Sequence, residues 1–555
     1  MKPGTKLPLN TIPKWVKIGV SVLVLLILVG VVLNIYLSRL IDRQLREAIH
    51  KGSNGLYTLD YQKAEVNIFK RSIVVEKALL KLDTALAGKR LQDNHPVSVF
   101  VEGNFSLIRL QGIHWLKFLF TKELRVGEFF IQSPNLTVNY YKSNQADSMN
   151  GKLQVERMVQ FDFREFKVSK LEMRHANVDY RYHETGRAGP TFYFFKDMDL
   201  TVGDLSYSKI PNDSSKKFSI GSTNLNFEEY EYRTGDSLYL MGIKDLEYSS
   251  EKRTVTISNF YIRPRLSEKG FSKQLPYQRE RNDVNVQQIK LEGVEIGPMM
   301  GSGELNIQQA TIGDGYWKIY LSRIPPLPPR RDNVVPSQPL LNISSKVSIA
   351  NLKVNKLQLN YREYNTETGE TGEIHFNDVS GTVTNITNES KRIAKNPHLV
   401  VNLAAKLMGA GDFKARFDFL LDDTTGKFSV EAKLGRIDAT RFNPGFIALN
   451  KVEIKKGVID EMNCKGWGNE NNLQGNVGML YHDLHIAVLK KDGDTLKRRG
   501  LVSLVANVLV KNDNPKEDEP VRKAENIVLK RDSRKSYFNL LWMALFTGIA
   551  KIVTA

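Results

Sequence analysis

The sequence predicts a mainly β chain: a long curled antiparallel sheet forming an apolar groove, preceded by an N-terminal transmembrane helix and followed by a C-terminal apolar helix. Three observations predict it. From Ile18 to Leu37 only Ser21 and Asn34 interrupt an apolar run, and beyond Leu56 apolar residues recur with period two through most of the chain. Few segments, finally, carry the amphipathic helical spacing that would cover a sheet.

The 20 residues of the apolar run, at about 1.5 Å rise each, span about 30 Å, the hydrocarbon thickness of a bilayer. Lys2, Lys6, Lys14 and Lys17 precede it without an acidic residue, whereas Arg39, Arg43 and Arg46 after it are mixed with Asp42 and Glu47. Residues 1–17 are therefore expected in the cytoplasm and the body on the far side of the membrane. The run is too long for a signal peptide, Leu37-Ser38-Arg39-Leu40 offers no small-residue cleavage site, and the single cysteine, Cys464, lies far from a lipoprotein position. A membrane span over 18–37 leads into an amphipathic neck, 38–55, where Leu40, Ile41, Leu45, Ala48 and Ile49 keep helical spacing until Gly52-Ser53-Asn54-Gly55.

One cysteine forms no intramolecular disulfide, so the body relies on packing, and Cys464 reads as a small packed side chain. The net charge of +18 would suit an anionic partner. Lysines and arginines are interleaved with acids along the body, however, which argues against a nucleic-acid patch.

The β body is read as 56–323 and 340–510, separated by a Pro-rich extended linker, 324–339. Val126, Phe129, Ile131, Leu136, Val138 and Tyr140 sit at the same relative offsets as Val168, Leu171, Met173, Val178, Tyr180 and Tyr182, with weaker echoes from Val284 and from Ile349. Where two residues rather than one separate apolar positions, a strand must bulge to keep them on one face. Thr234-Gly235-Asp236, Asp422 to Gly426 and Lys491 to Asp494 read as hairpin connections, the clearest joining Phe413–Leu421 to Phe428–Leu434. Such loops favour an antiparallel meander. Leu107–Phe120 reads as one of the few helices.

A basic linker, 511–535, leads to the apolar helix 536–555, where Lys530, Arg531, Arg534 and Lys535 form a collar beside Phe538, Leu541, Trp542 and Leu545. Those residues are candidate membrane contacts, and a helix capping the open end of the sheet is the equal alternative. A sheet with one apolar face must bury it, and too few helices are available, leaving a sandwich, a closed barrel or a groove holding something apolar. The candidate groove lining is Val126, Phe129, Ile131, Leu136, Val138, Leu171, Met173, Phe413, Phe417, Phe419 and Val430. Stacking roughly 25 strands at about 4.8 Å would give a groove on the order of 120 Å long.

The anchor followed by Gly55-Leu56-Tyr57-Thr58-Leu59-Asp60-Tyr61, by Leu124 to Val138 with its strand, x-x-Pro-x-apolar turn and second strand, and by Gly475 to Val488 with Tyr481-His482-Asp483-Leu484, resembles the AsmA-like proteins of Gram-negative bacteria. The resemblance covers the two ends of the chain and lies in the order of these motifs behind an anchor. It implies a single-pass inner-membrane protein with a periplasmic β-groove, related to bridge-like lipid transfer proteins and linked to outer-membrane lipid homeostasis. Phospholipid, the inner membrane and outer-membrane components are the partners so implied. A scaffold or assembly factor lending strand edges to outer-membrane proteins is the alternative of a different class.

An enzyme is not expected. The sequence has no phosphate-binding Gly-rich loop with a following Lys, no Gly-x-Ser-x-Gly elbow and no His-Glu-x-x-His. His482 and His485 read as ordinary strand histidines rather than metal ligands, Glu228-Glu229 and Asp422-Asp423 as solvated turn or edge acids, and no cofactor is implied.

Overall fold

A computed structural model describes residues 46–554, apart from 48, 52, 93–96, 116, 118–120, 122, 143–164, 184–188, 210–215, 296–303, 333, 493–494 and 499–509. The expected membrane span 18–37 and most of the neck lie outside the described residues. The fold is mainly β and forms two compact units, dividing between Leu225 and Asn226.

The first unit runs β1 (Tyr57–Asp60), β2 (Lys63–Asn67), β3 (Ser72–Leu82), helix α1 (Thr84–Gln92), β4 (Val97–Gln111), β5 (Glu123–Gln132), β6 (Asn135–Lys142), β7 (Glu165–His183), β8 (Thr191–Lys209) and β9 (Lys216–Ser219). Strands β5 and β6 lie end to end as one interrupted strand, antiparallel to β4 and parallel to β7. The sheet is thus mixed rather than the expected antiparallel meander. The repeated cadence has a structural cause: Val126 stands beside Val168, Ile131 beside Met173 and Val138 beside Tyr180, so the echo is the register of the parallel pair.

The second unit begins with β10 (Thr223–Arg233), most of which belongs to it, followed by β11 (Tyr239–Ser249), β12 (Thr254–Pro264), α2 (Glu268–Lys273), β13 (Arg281–Glu292), β14 (Glu304–Ile312) and β15 (Gly315–Ser322). It continues with α3 (Ser337–Leu341), β16 (Lys346–Asn365), β17 (Glu370–Thr387), α4 (Ser390–Ile393), β18 (His398–Leu407), β19 (Gly411–Leu420), β20 (Phe428–Leu434) and β21 (Ile437–Asp438). Helix α5 (Asn443–Asn450), β22 (Val452–Gly468), β23 (Asn472–Asp492), β24 (Thr495–Arg498), β25 (Lys523–Lys530) and α6 (Tyr537–Thr554) complete it. The plan of β4–β7 recurs: β14 and β15 lie end to end, antiparallel to β13 and parallel to β16. Ile307 stands beside Ile349 as Val126 stands beside Val168, an offset of 42 residues in both units.

Parallel neighbours need a crossover connection of a dozen or more residues. That requirement explains the Pro-rich stretch 324–339, which lies inside the second unit as part of the return from β15 to β16. It is docked, with Val335 fully buried against Leu399, Phe419 and Phe428. The expected helix Leu107–Phe120 is overturned in its first part, since β4 continues to Gln111. Within β4, Ile108 and Leu110 lie opposite Val75 and Ile73 and share one face, while Leu107, Leu110 and Ile113 fall three apart and imitate helical spacing.

Bending is concentrated at left-handed residues inside strands. Lys77, His175, Asp197, Asp245, Gln288, Lys356 and Asp378 have φ between 48° and 57°. All seven side chains are polar and none is β-branched, and four of them are His or Asp, types that tolerate this region comparatively well. Register shifts occur at His175, between Met173 and Ala176, and at Lys356, between Val354 and Leu357.

Helix α6 settles on the second unit's sheet. Tyr537, Leu540, Ala544, Gly548 and Ile552 form its buried face, resting on Phe419, Phe428, Val430, Leu473, Val477 and Ile527. A Cβ on Gly548 would stand 2.5 Å from Val477 Cγ2, so only glycine permits this approach. Its entry is held by Arg531, which is buried rather than part of an outward collar. The guanidinium donates to the carbonyl oxygens of Lys535 at 2.8 Å, Ser533 at 3.2 Å, Arg331 at 3.2 Å and Glu470.

Lys356→Val places a β-branched residue in the left-handed region and is expected to cost about 1–2 kcal/mol, whereas Lys356→Gly should not destabilise. Urea unfolding of the two variants checks this. Arg531→Met leaves buried carbonyls without a donor and is expected to cost about 2–4 kcal/mol. Limited proteolysis should then cut ahead of α6 at protease concentrations that leave the parent chain intact.

Candidate apolar binding face

Residues directly opposite one another in adjacent strands share a face of the sheet. In the first unit Val101, Val138, Tyr180 and Tyr193 form one file from β4 to β8, and Gly103, Leu136, Val178 and Phe195 form the next. On the far side of the bend, Ile108, Ile131, Met173 and Leu200 make a third, and Leu110, Phe129, Leu171 and Val202 a fourth. Gly103 is required here because a Cβ would meet the Asn135 carbonyl oxygen at 2.2 Å. The expected lining residues Phe129, Ile131, Leu136, Val138, Leu171 and Met173 therefore do share one face, half-buried. Val126 is fully buried at one end, beneath Ile113 and Trp115.

The second unit carries the longer files. Tyr248, Val255, Leu291, Ala310 and Leu352 stand side by side from β11 to β16. Val383, Val401, Phe417 and Val430 continue the same file to β20. A second file runs Met241, Ile262, Val284, Trp317, Leu359, Phe376 and Leu407. Trp317, in the middle of it, is 44% exposed, its indole N–H donating to Asn282 Oδ1 at 2.9 Å. Of the remaining lining residues, Phe419 and Val430 are buried under α6, and Phe417 stacks on Phe419 with centroids 6.0 Å apart. Phe413 packs against Phe376 in a separate cluster with Leu407 and Leu434.

The opposite face is polar and charge-paired. Glu172 lies between Lys170 and Arg174, and Arg174 also holds Asp199 at 2.8 Å. In the second unit Lys433 meets Glu461 at 2.9 Å and Lys465 meets Glu431 at 2.7 Å. Charges on this face are thus held in local pairs, and the two faces differ sharply in polarity.

Polar groups near the apolar files are few, and most answer one another. Tyr140 stacks on Tyr182 at 5.5 Å, and Tyr180 meets Tyr193 at 5.6 Å. Burial among these rings, with neighbouring phenols adding to it, pushes Tyr180 up to about 12. Tyr361 donates to Glu363 at 2.7 Å, and burial beside that carboxylate pushes its phenol upward.

Other candidates resolve into structural roles. Asp423 accepts from the Thr425 N–H at 2.9 Å and shapes the β19–β20 turn. His482 meets Asp460 at 2.7 Å while His485 meets the Asp483 carbonyl oxygen at 3.0 Å, so the two do not converge. Cys464 lies in a cluster with Val477 and Met479, and burial raises its thiol. Among the described residues His175, Asp197 and Asp199 approach ligand spacing, a grouping the sequence does not announce because Asp197 is 22 residues away. Asp199 is already engaged by Arg174 and by the His175 N–H, and Asp197 by the His175 ring, so the group braces the bend.

Tyr180 ties stability to alkaline pH. An unfolded tyrosine ionises near 10.0 and the folded one near 12. Below that window both states keep the proton and stability is unaffected. As pH rises through it the unfolded chain releases its proton first, so folding stability falls. Tyrosinate absorbance should show late-titrating phenols whose number Tyr180→Phe lowers by one, together with a smaller alkaline loss of stability.

Compared with family models and with curated proteins, the chain matches none.

Proposed function

We propose that the chain is a membrane-anchored, periplasmic lipid-binding and lipid-transfer protein supporting outer-membrane biogenesis or lipid homeostasis. Glycerophospholipid acyl chains lie along the apolar files, headgroups stay in water, and movement is by diffusion without covalent chemistry. The anchor over 18–37 and the AsmA-like motifs supply the membrane and compartment part of this reading.

The observation that carries it is the treatment of one apolar face in two ways. Under α6 the files become a dry core, with Phe419 and Leu473 each only 3% exposed. In the file from Met241 to Phe376, and over most of β4 to β8, the same alternation leaves side chains half-exposed, and Trp317 reaches 44%, although the neighbouring file closes over Val255 and Ala310. Contiguous apolar surface left to water is costly at about 25 cal/mol per Å², and an acyl chain is the ligand whose shape and polarity match a file of aliphatic and aromatic side chains.

Mass spectrometry of the purified chain should find co-purifying phospholipid. Val138→Glu and Leu359→Glu, set in the half-exposed files, should reduce it. Placing an unpaired carboxylate against an acyl chain costs about 2–3 kcal/mol, roughly 30- to 150-fold in affinity. A lipid-free preparation, or unchanged lipid content in both folded variants, contradicts the proposal.

A further inference from the structure

Helix α6 has a second side that its own sheet does not use. Phe538 and Met543 are 64% and 42% exposed. Beside it lies α5, which contains no charged residue. Phe446 of α5 meets both Trp542 and Phe546 of α6 at 6.3 Å, joining the two helices into one apolar surface.

The segment that carries α6 is strongly basic, although the loop 511–522 at its far end mixes Asp513, Glu517, Asp518 and Glu519 with Lys511, Lys516 and Arg522. Over 530–555 Lys530, Arg531, Arg534, Lys535 and Lys551 stand against Asp532 alone, a net charge of +4. Asp532 is neutralised by Arg534 at 2.9 Å, and Glu519, near the far end of α6, is paired with Arg522 at 3.1 Å. Arg531 is committed to backbone carbonyls, while Lys530, Arg534 and Lys551 are exposed.

We propose that the α5–α6 surface seats on an anionic phospholipid bilayer, α6 lying in the headgroup region with Phe538 and Met543 inserted and the lysines and arginine at phosphate level. A helix with apolar residues on its free side and basic residues at its ends fits an interfacial position. Spanning is excluded by the five residues it buries in its own sheet. A second copy is disfavoured because it would bring two like-charged collars together, whereas an anionic surface complements them. This docking is independent of whether acyl chains occupy the files.

The test uses the full chain reconstituted in vesicles, with Cys464→Ser as background and an environment-sensitive dye on Phe538→Cys. A control dye sits on Lys414→Cys, an exposed residue of the polar face. The dye at 538 should shift to the blue and be quenched by spin-labelled lipid when phosphatidylglycerol is present, in the host vesicle or in vesicles added afterwards. Phosphatidylcholine alone or high salt should reduce the effect several-fold, Met543→Glu should abolish it, and the control dye should not respond. A dye at 538 that stays in water in both arrangements overturns the proposal. So does protection without lipid accompanied by cross-linked dimers, which would assign the surface to a second copy.

Discussion

Side chains alternate along a strand, so an apolar file can cross many strands only if every neighbour keeps the same parity. In both units the strands also bend, and each bend inserts a residue that would invert parity beyond it. Parity survives because the insertions are matched from strand to strand. The Ser133–Pro134 break between β5 and β6 lies beside His175–Ala176 in β7, which lies beside Asp197 in β8. Leu136, Val178 and Phe195 consequently reach the same face as Ile131, Met173 and Leu200 on the other side of the bend. The apolar files, the seat for α6 and the charge-paired opposite face all follow from this matching.

Much of this was legible in the residues. The two-residue gaps between apolar positions announced the bends, and the Phe413–Leu434 hairpin has the pairing its alternation implies, Phe417 opposite Val430 and Phe419 opposite Phe428. The cadence shared by Val126 and Val168 was visible, but its meaning was not. A repeated pattern fits a parallel neighbour as well as a duplicated hairpin, and only the register separates them. Leu107–Phe120 misled because Leu107, Leu110 and Ile113 fall three apart, as on a helix, although β4 runs on to Gln111. Arg531 was illegible in a different way. Nothing in its neighbours distinguishes an arginine that turns inward to several carbonyls from one that turns toward solvent.

The same face has two fates within one unit. Where α6 and Val335 lie on it, the files close into a core that includes Leu399, Phe419 and Leu473. Toward β15 and β16 the pattern of residues is unchanged, yet Trp317 remains 44% exposed. Sequence alternation therefore specifies the apolar face, while the elements laid over it decide which parts are interior. The C-terminal helix performs for one stretch of sheet what we propose a lipid performs for another.

The parallel step carries a geometric consequence. Strand β15 ends beside the end of β16, and β14 begins beside its beginning, so the chain must travel back the length of a strand before β16 can start. That return has to pass over one side of the sheet, and Val335, buried among Leu399 and Phe428, records that it passes over the oily one. Proline makes the crossing stiff. A stiff bridge laid directly on an oily floor divides it, fixing which stretch the chain seals for itself and which stays open to its surroundings.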